Sequence, residues 1–431
     1  MDHHWRFETS AVHAGYAPAG PVPAVALPVY QTAAFAFEDS QHAADLFDHK
    51  VAGPIYTRLS NPTTDALAER VATLEGGAGA LVTASGQAAV AGALMAVAGT
   101  GENIVASSSL YGTTFNLLAQ TLPQYGIEVR FCAHNDIAQF DRAIDDATRA
   151  LFCETVANPS GHVADLQALA MLARERGVPL LVDNTIATPY LCRPLQHGAH
   201  VVVQSLTKYM GGHGVALGGA IVDGGSFPWA RHRERFARLT GVEHGVRGQS
   251  FVEAYGSTAF LARCMHGPLR TLGAVAAPLN AFLIAQGVET LALRMDRICF
   301  NADVLARFLE QHPAVEWVRY PALARHPDHA LCVRYLGGRG SGVLSFGIRG
   351  GRAAGAVFQD ALQLVRRSTN LGDCKTLVCH PASTTHRQLS PEDLRRSGTS
   401  EELVRLSVGI EHAEDLLADL DQALAAVTAS R

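Results

Sequence analysis

The residue of greatest chemical interest in this chain of 431 is Lys208. It follows the apolar run Val201-Val-Val-Gln204 and two hydroxyl residues, Ser205 and Thr207, and it precedes the glycine pair Gly211 and Gly212. Lysine is almost never fully buried unless paired or functional, so one issuing from a strand-like run points to a reactive amine; a solvated loop lysine is the plainer alternative. Asp183 closes the run Leu180-Leu-Val, as either a capping residue or a carboxylate aimed into a site. Thr83-Ala-Ser85-Gly86-Gln87 joins a strand-like to a helix-like segment. Its small residues leave backbone N–H groups free for an anion, although Ser85 also reads as an ordinary helix cap. Tyr111 stands on a turn after Asn103–Ser107, where packing is the commoner use of a tyrosine.

All four stretches follow strand-like runs, and open parallel sheets bind ligands at the C-terminal ends of their strands. A phosphate cradle, a carboxylate, an aromatic face and a lysine together suit pyridoxal 5′-phosphate. The amine forms a Schiff base, and the carboxylate pairs with the pyridinium nitrogen so that the ring can accept electrons. The competing phosphate motifs G-x-G-x-x-G and G-x-x-x-x-G-K-[ST] are incomplete here.

The elements that must hold these residues read as alternating strands and helices. Helical spacing covers Asp65–Leu74, 87–98 and Leu166–Arg176, with strands at 80–83, Asn103–Ser107, 127–131, 150–154, 179–182 and 200–204. That order predicts an α/β fold with a mostly parallel sheet covered on both faces. Residues 1–64 read as an irregular N-terminal arm, 65–277 as a large domain and 278–431 as a smaller α+β domain. In that last part, helices are expected at 279–286, 297–309 and 413–427, and strands at 315–320 and 342–348. Residues 76–101 carry no charge and are long enough to span a bilayer,. Their Gly, Ala, Thr83, Ser85 and Gln87 fit a strand, a turn and a buried helix better, so no membrane association is expected.

Composition narrows the class. Hydrophobic residues make up 48% and charged residues 17%, too apolar for a disordered chain,. A net charge of −5 offers no basic stripe for nucleic acid,. The eight cysteines form no C-x-x-C pair, and the i, i+3 pairs His197/His200 and His326/His329 lack further ligands, so neither disulfides nor a metal are expected,. The first eight residues show no secretory pattern, which makes a cytoplasmic protein the expectation,.

Three motifs resemble the Cys/Met-metabolism family of pyridoxal-phosphate enzymes: Ser205-Leu-Thr-Lys208-Tyr-Met-Gly-Gly-His-Gly, Val182-Asp183-Asn184-Thr185 and Tyr56-Thr57-Arg58-Leu-Ser-Asn-Pro-Thr. A fourth, Arg405-Leu-Ser-Val-Gly-Ile-Glu411, is similar to the family's C-terminal signature. The resemblance runs over nearly the whole chain and implies the aspartate-aminotransferase-like fold (fold type I). It also implies roles: Lys208 as Schiff-base lysine and proton shuttle, Asp183 as pyridinium partner, Tyr111 stacked on the ring, and Asn158 close to it. Gly86, Gln87, Ser205 and Thr207 would contact the phosphate. Tyr56 and Arg58 would reach the neighbouring subunit's cofactor, with Tyr56 also near substrate, in dimers that share active sites and assemble as a homotetramer. Arg405 and Asn370 would hold the substrate carboxylate.

Within the family, Asn370-Leu-Gly-Asp-Cys-Lys-Thr-Leu377 and the stretch from His380 to Leu389 resemble the O-acetylhomoserine sulfhydrylases. That implies O-acylhomoserine and sulfide or a thiol as substrates. Cystathionine γ-synthase and O-succinylhomoserine sulfhydrylase are the alternatives, with methionine γ-lyase behind them. Cystathionine-cleaving γ-lyases tend to carry an acidic residue where this chain has Thr369, and methionine γ-lyases a cysteine where it has Thr113. Gly112-Thr113 replaces the Gly-Gly usual in the sulfhydrylases, which leaves the leaving group open.

Overall fold

Seven strands form the larger sheet of the computed structural model, which describes residues 5–19, 22–48, 50–246, 248–384, 387 and 399–429. They are β1 (Gly79–Thr83), β2 (Asn103–Ser107), β3 (Glu128–Cys132), β4 (Thr148–Glu154), β5 (Leu180–Asp183), β6 (Val201–Gln204) and β7 (Gly219–Asp223). Their order across the sheet is β1-β7-β6-β5-β4-β2-β3. Only β7 runs against the rest, pairing antiparallel with β1 and β6.

The strands read as unbroken apolar runs because both faces are covered. On β5, Leu180 and Val182 enter one hydrophobic cluster and Leu181 the other; on β6, Val202 enters the first and Val201 and Val203 the second. The uncharged stretch 76–101 resolves into β1, a turn and the helix Gly86–Val97. No helix among the described residues is long and apolar enough to cross a membrane.

A smaller sheet follows: β8 (Val315–Arg319), β9 (Val343–Ile348), β10 (Arg366–Arg367), β11 (Leu377–Cys379) and β12 (Leu403–Ser407). Their order is β10-β11-β12-β9-β8. The helices Leu291–Gln311, Gly351–Ala361 and Ala413–Ala429 pack on it around a third apolar cluster. The fold is thus a mostly parallel central sheet with a smaller C-terminal α+β unit.

Several elements differ from their sequence-based expectations. The arm contains two short helices, Phe7–His13 and Ser40–Phe47, and Ala11 of the first is buried in the large sheet's core. The expected helix at 297–309 begins at Leu291, since Leu291, Met295 and Ile298 extend its buried stripe. That helix serves both cores: its first half joins the large sheet's cluster, and Ala302, Leu305 and Leu309 join the third. One continuous helix therefore packs into both cores. Strands β7, β10, β11 and β12 have no counterpart in the sequence reading.

Leu305→Ala should lower stability by ~2–5 kcal/mol, because Leu305 is fully buried and its loss leaves a cavity,. Urea unfolding followed by circular dichroism checks this, and an unchanged midpoint would contradict it.

Candidate active site

Strands β1, β2, β4, β5 and β6 run in the same direction, so the residues after their C-terminal ends share one edge of the sheet. After β1, Ser85 caps the helix Gly86–Val97 by accepting the Ala88 N–H at 3.1 Å, so the capping reading of Ser85 holds. First-turn N–H groups have no acceptor within a helix, which leaves those of Gly86 and Gln87 facing this edge. Ser205, after β6, closes over the same spot: a Cβ on Gly86 would lie 2.6 Å from the Ser205 Cβ and 2.9 Å from its Cα. Only glycine permits that approach. Gln87 donates to Thr114 Oγ1 at 2.9 Å, tying this helix to the turn that carries Tyr111. Ser205 N–H donates to Thr185 Oγ1 at 2.8 Å, and Thr207 Oγ1 lies 3.2 Å from the Gly218 carbonyl.

Glu154, the last residue of β4, was not singled out from the sequence. It pairs in register with Asp183 of β5. One of its oxygens accepts the Tyr111 N–H at 2.6 Å and the other the Asn158 N–H at 3.4 Å. Burial raises its carboxyl well above the usual range, and the neighbouring Asp183 adds to the effect. Burial raises Asp183 as well, opposed by its hydrogen bonds from Thr185. Two buried carboxyls side by side favour a proton or a cation between them.

From the smaller sheet, Arg405 on β12 reaches across. Its Nη2 donates to the carbonyls of Thr369 and Asn370, both at 2.9 Å, and its Nη1 to Asn158 Oδ1 at 3.5 Å. Its buried Nε has no partner among the described residues. Asn370 Oδ1 accepts the Lys208 amine at 2.6 Å. Burial, aided by the Arg405 charge, lowers the Lys208 amine to about 8. Gly372 lets this segment lie on the lysine: its φ is +74°, and a Cβ there would sit 2.6 Å from Tyr209 N and 2.9 Å from the Lys208 carbonyl carbon.

Tyr111, Asn158, Asp183, Lys208, Asn370 and Arg405 are thus joined through Glu154 and their own contacts. Tyr56 and Arg58 are not among them. The Arg58 guanidinium lies over the Tyr56 ring at 5.4 Å and donates to the Arg270 carbonyl at 2.9 Å. Of the stretch from His380 to Leu389, residues 385, 386, 388 and 389 lie outside the described residues.

Residues 8–425 match the family of Cys/Met metabolism PLP-dependent enzymes. The chain belongs to this family. Its relatives include an O-acetyl-L-homoserine sulfhydrylase of Thermus thermophilus, 46% identical over 97% of this chain and 100% of the relative. Another, from Leptospira meyeri, is 45% identical over 98% of both chains, and a homocysteine/cysteine synthase of Saccharomyces cerevisiae is 41% identical over 99% of both. A solved structure of an O-acetylhomoserine (thiol)-lyase from Campylobacter jejuni, containing a pyridoxyl-lysine monophosphate, superposes with a TM-score of 0.94 at 38% identity. It covers 98% of this chain and 100% of its own.

The family cofactor is pyridoxal phosphate, and the residues present fit it. There is a glycine-bounded helix terminus for an anion, a carboxyl pair for a protonated ring nitrogen, and a buried amine with a lowered proton affinity.

Two outcomes follow from these charges. An amine must lose its proton to attack an aldehyde, so apoprotein should take up pyridoxal phosphate faster as pH rises through about 8, then level off. Stopped-flow absorbance would show this, and a rate still climbing toward 10.5 would contradict it. Glu154→Ala orphans two N–H groups at ~1–3 kcal/mol, so the variant should release cofactor more readily in equilibrium dialysis than Glu154→Gln, whose amide oxygen still accepts one of them.

Proposed function

We propose that this enzyme replaces the γ-substituent of O-acetyl-L-homoserine with sulfide or a thiol, giving L-homocysteine or L-methionine and acetate. The observation that carries this reading is the Arg405–Asn370–Lys208 chain of contacts. It sets a carboxylate-binding group beside a base, as an amino-acid substrate requires. The sulfhydrylase relatives support the choice of substrate.

Bound pyridoxal phosphate supplies an electron sink for the charge left when the substrate's α-proton is removed. In our reading, Arg405 holds the α-carboxylate through its unpartnered Nε–H, with Asn370 beside it. Lys208, with its lowered proton affinity, takes the α-proton and later one from the β-carbon. Asp183 keeps a proton at the ring nitrogen, which turns the unfavourable pair of buried carboxyls into a counter-charge. Gly86, Gln87, Ser205 and Thr207 would hold the phosphate, with Asn158 close to the ring. Tyr111, positioned by Glu154, lies against the ring and assists proton transfer as acetate leaves the γ-carbon.

Tyr56 and Arg58 complete the site of a neighbouring subunit in this scheme. Arm residues Val22, Val25, Phe47 and Val51 are exposed apolar side chains, which a neighbouring subunit would cover in this scheme. We extend the scheme to a homotetramer of site-sharing dimers, with a large unit at 65–277 and a substrate unit at 278–431. All eight cysteines are free, in keeping with a reducing cytoplasm,.

The decisive assay offers O-acetyl- and O-succinylhomoserine, each with sulfide, methanethiol and cysteine. The acetyl ester with sulfide should give the highest kcat/KM; preference for the succinyl ester with cysteine would replace this reading with a cystathionine γ-synthase. Arg405→Lys should raise KM by about tenfold or more, because an ammonium cannot reproduce the planar fork.

A further inference from the structure

Three potential metal ligands meet at a junction that the reaction does not use. His134 lies in the turn after β3, His162 in the loop after β4, and Asp328 directly before the helix His329–Leu336. Their ligand atoms lie within 4.8 Å of one another. Asp328 Oδ2 is 3.3 Å from His134 Nε2 and 2.8 Å from His162 Nδ1, and the two rings stack at 4.6 Å.

Donors and acceptors crowd His134 Nε2. Asn135 Oδ1 accepts the Asp165 N–H at 2.9 Å, which fixes the amide's orientation. Its Nδ2 is therefore the donor side, facing His134 Nε2 at 2.9 Å and the Val163 carbonyl at 3.0 Å,. His134 Nε2 also faces two oxygens, the Val163 carbonyl at 3.1 Å and the Asp328 carboxylate at 3.3 Å. An Nε2 proton can serve one of these oxygens, and an Nε2 lone pair can take a cation in its place. A cation there accepts the electron pairs of the two rings and the carboxylate, and in either state Asn135 donates to the Val163 carbonyl at 3.0 Å.

We propose that His134, His162 and Asp328 bind a divalent transition metal of the zinc class, with the Val163 carbonyl or a water as fourth ligand. Ligand bonds of ~2.0–2.1 Å in a tetrahedron set neighbouring donors about 3.3 Å apart. The 3.3 Å pair already has that spacing, and the 2.8 Å pair must open slightly. Two imidazoles and a carboxylate suit zinc better than the oxygen-seeking magnesium or calcium. Asp328 Oδ2 also accepts the Val163 N–H at 3.1 Å, which orients the carboxylate toward the two rings. Further support comes from His326, whose Nδ1 accepts the Asp328 N–H at 3.1 Å and whose ring lies edge-on to His162. Bound metal would clamp the loop that carries Asn158 to the C-terminal unit.

The test uses tag-free holoenzyme, cleared of metal with a chelator, exchanged into chelator-free buffer, incubated with zinc and passed through gel filtration. Elemental analysis should find about one zinc per chain more in the wild type than in His162→Ala or Asp328→Asn. His329→Ala, outside the trio, should match the wild type. Zinc affinity should fall at least tenfold or so in the two ligand variants, and zinc should raise the melting temperature only in the proteins that retain it. Equal zinc content in wild type and both ligand variants, or none in any, would overturn the proposal and leave a metal-free His–Asp hydrogen-bond cluster. Asp328→Asn preserves the side chain's shape, so it remains informative if His162→Ala folds poorly.

Discussion

The reach of Arg405 from the small sheet to the large one is the constraint on which the site depends. Its guanidinium is buried, and a buried charge is costly unless its donors are met. Two backbone carbonyls at Thr369 and Asn370 and the Asn158 side chain meet most of them. The same contacts fix Asn370 where it can hold Lys208. One cation thereby ties the two sheets together, positions the Lys208 amine through Asn370 and keeps its own Nε–H unpartnered among the described residues.

A second buried group aligns the strand ends from behind. Glu75, last in the helix Pro62–Glu75, accepts from the amides of Asn184 and Gln204, the residues beside Asp183 and Ser205. Burial raises its carboxyl to about 7, against the pull of those two amides. At neutral pH the group is thus close to balance between acid and carboxylate, and its second oxygen has no partner among the described residues. The helix consequently locks β5 and β6 together without placing a full buried charge under the cofactor.

The local parts of this arrangement were legible in the sequence, and the parts made by pairing were not. Lys208 and Asp183 stand out because a polar residue ending an apolar run is unusual within a few positions. Glu154 ends a similar run, but its meaning comes from register with Asp183, 29 residues on, and from Tyr111 in the turn after a third strand. The alternating burial of β5 and β6 was visible as apolar runs. The lone antiparallel strand β7, Gly219–Asp223, follows a glycine-rich loop and has a glycine and an aspartate at its ends, so its local pattern is weak. Arg405 was identified through resemblance alone, since nothing local says that β12 brings it to Asn158. The His134, His162 and Asp328 cluster draws on three distant segments, and no spacing rule reports such a meeting.

The charges of the site share one bias. Burial pushes Lys208 toward its neutral form and Glu154 and Asp183 toward theirs, while it lowers the proton affinity of Arg405 as well. Alone, these groups oppose folding, because each loses hydration without gaining a full counter-ion. In the proposed scheme an anionic phosphate at the helix terminus, a protonated ring nitrogen beside Asp183 and a substrate carboxylate at Arg405 would supply the missing partners. Any ligand that binds only the folded chain stabilises it by mass action. The strain in this charge pattern would therefore favour a cofactor and a substrate of complementary charge, so that in this scheme stability and specificity arise from the same residues.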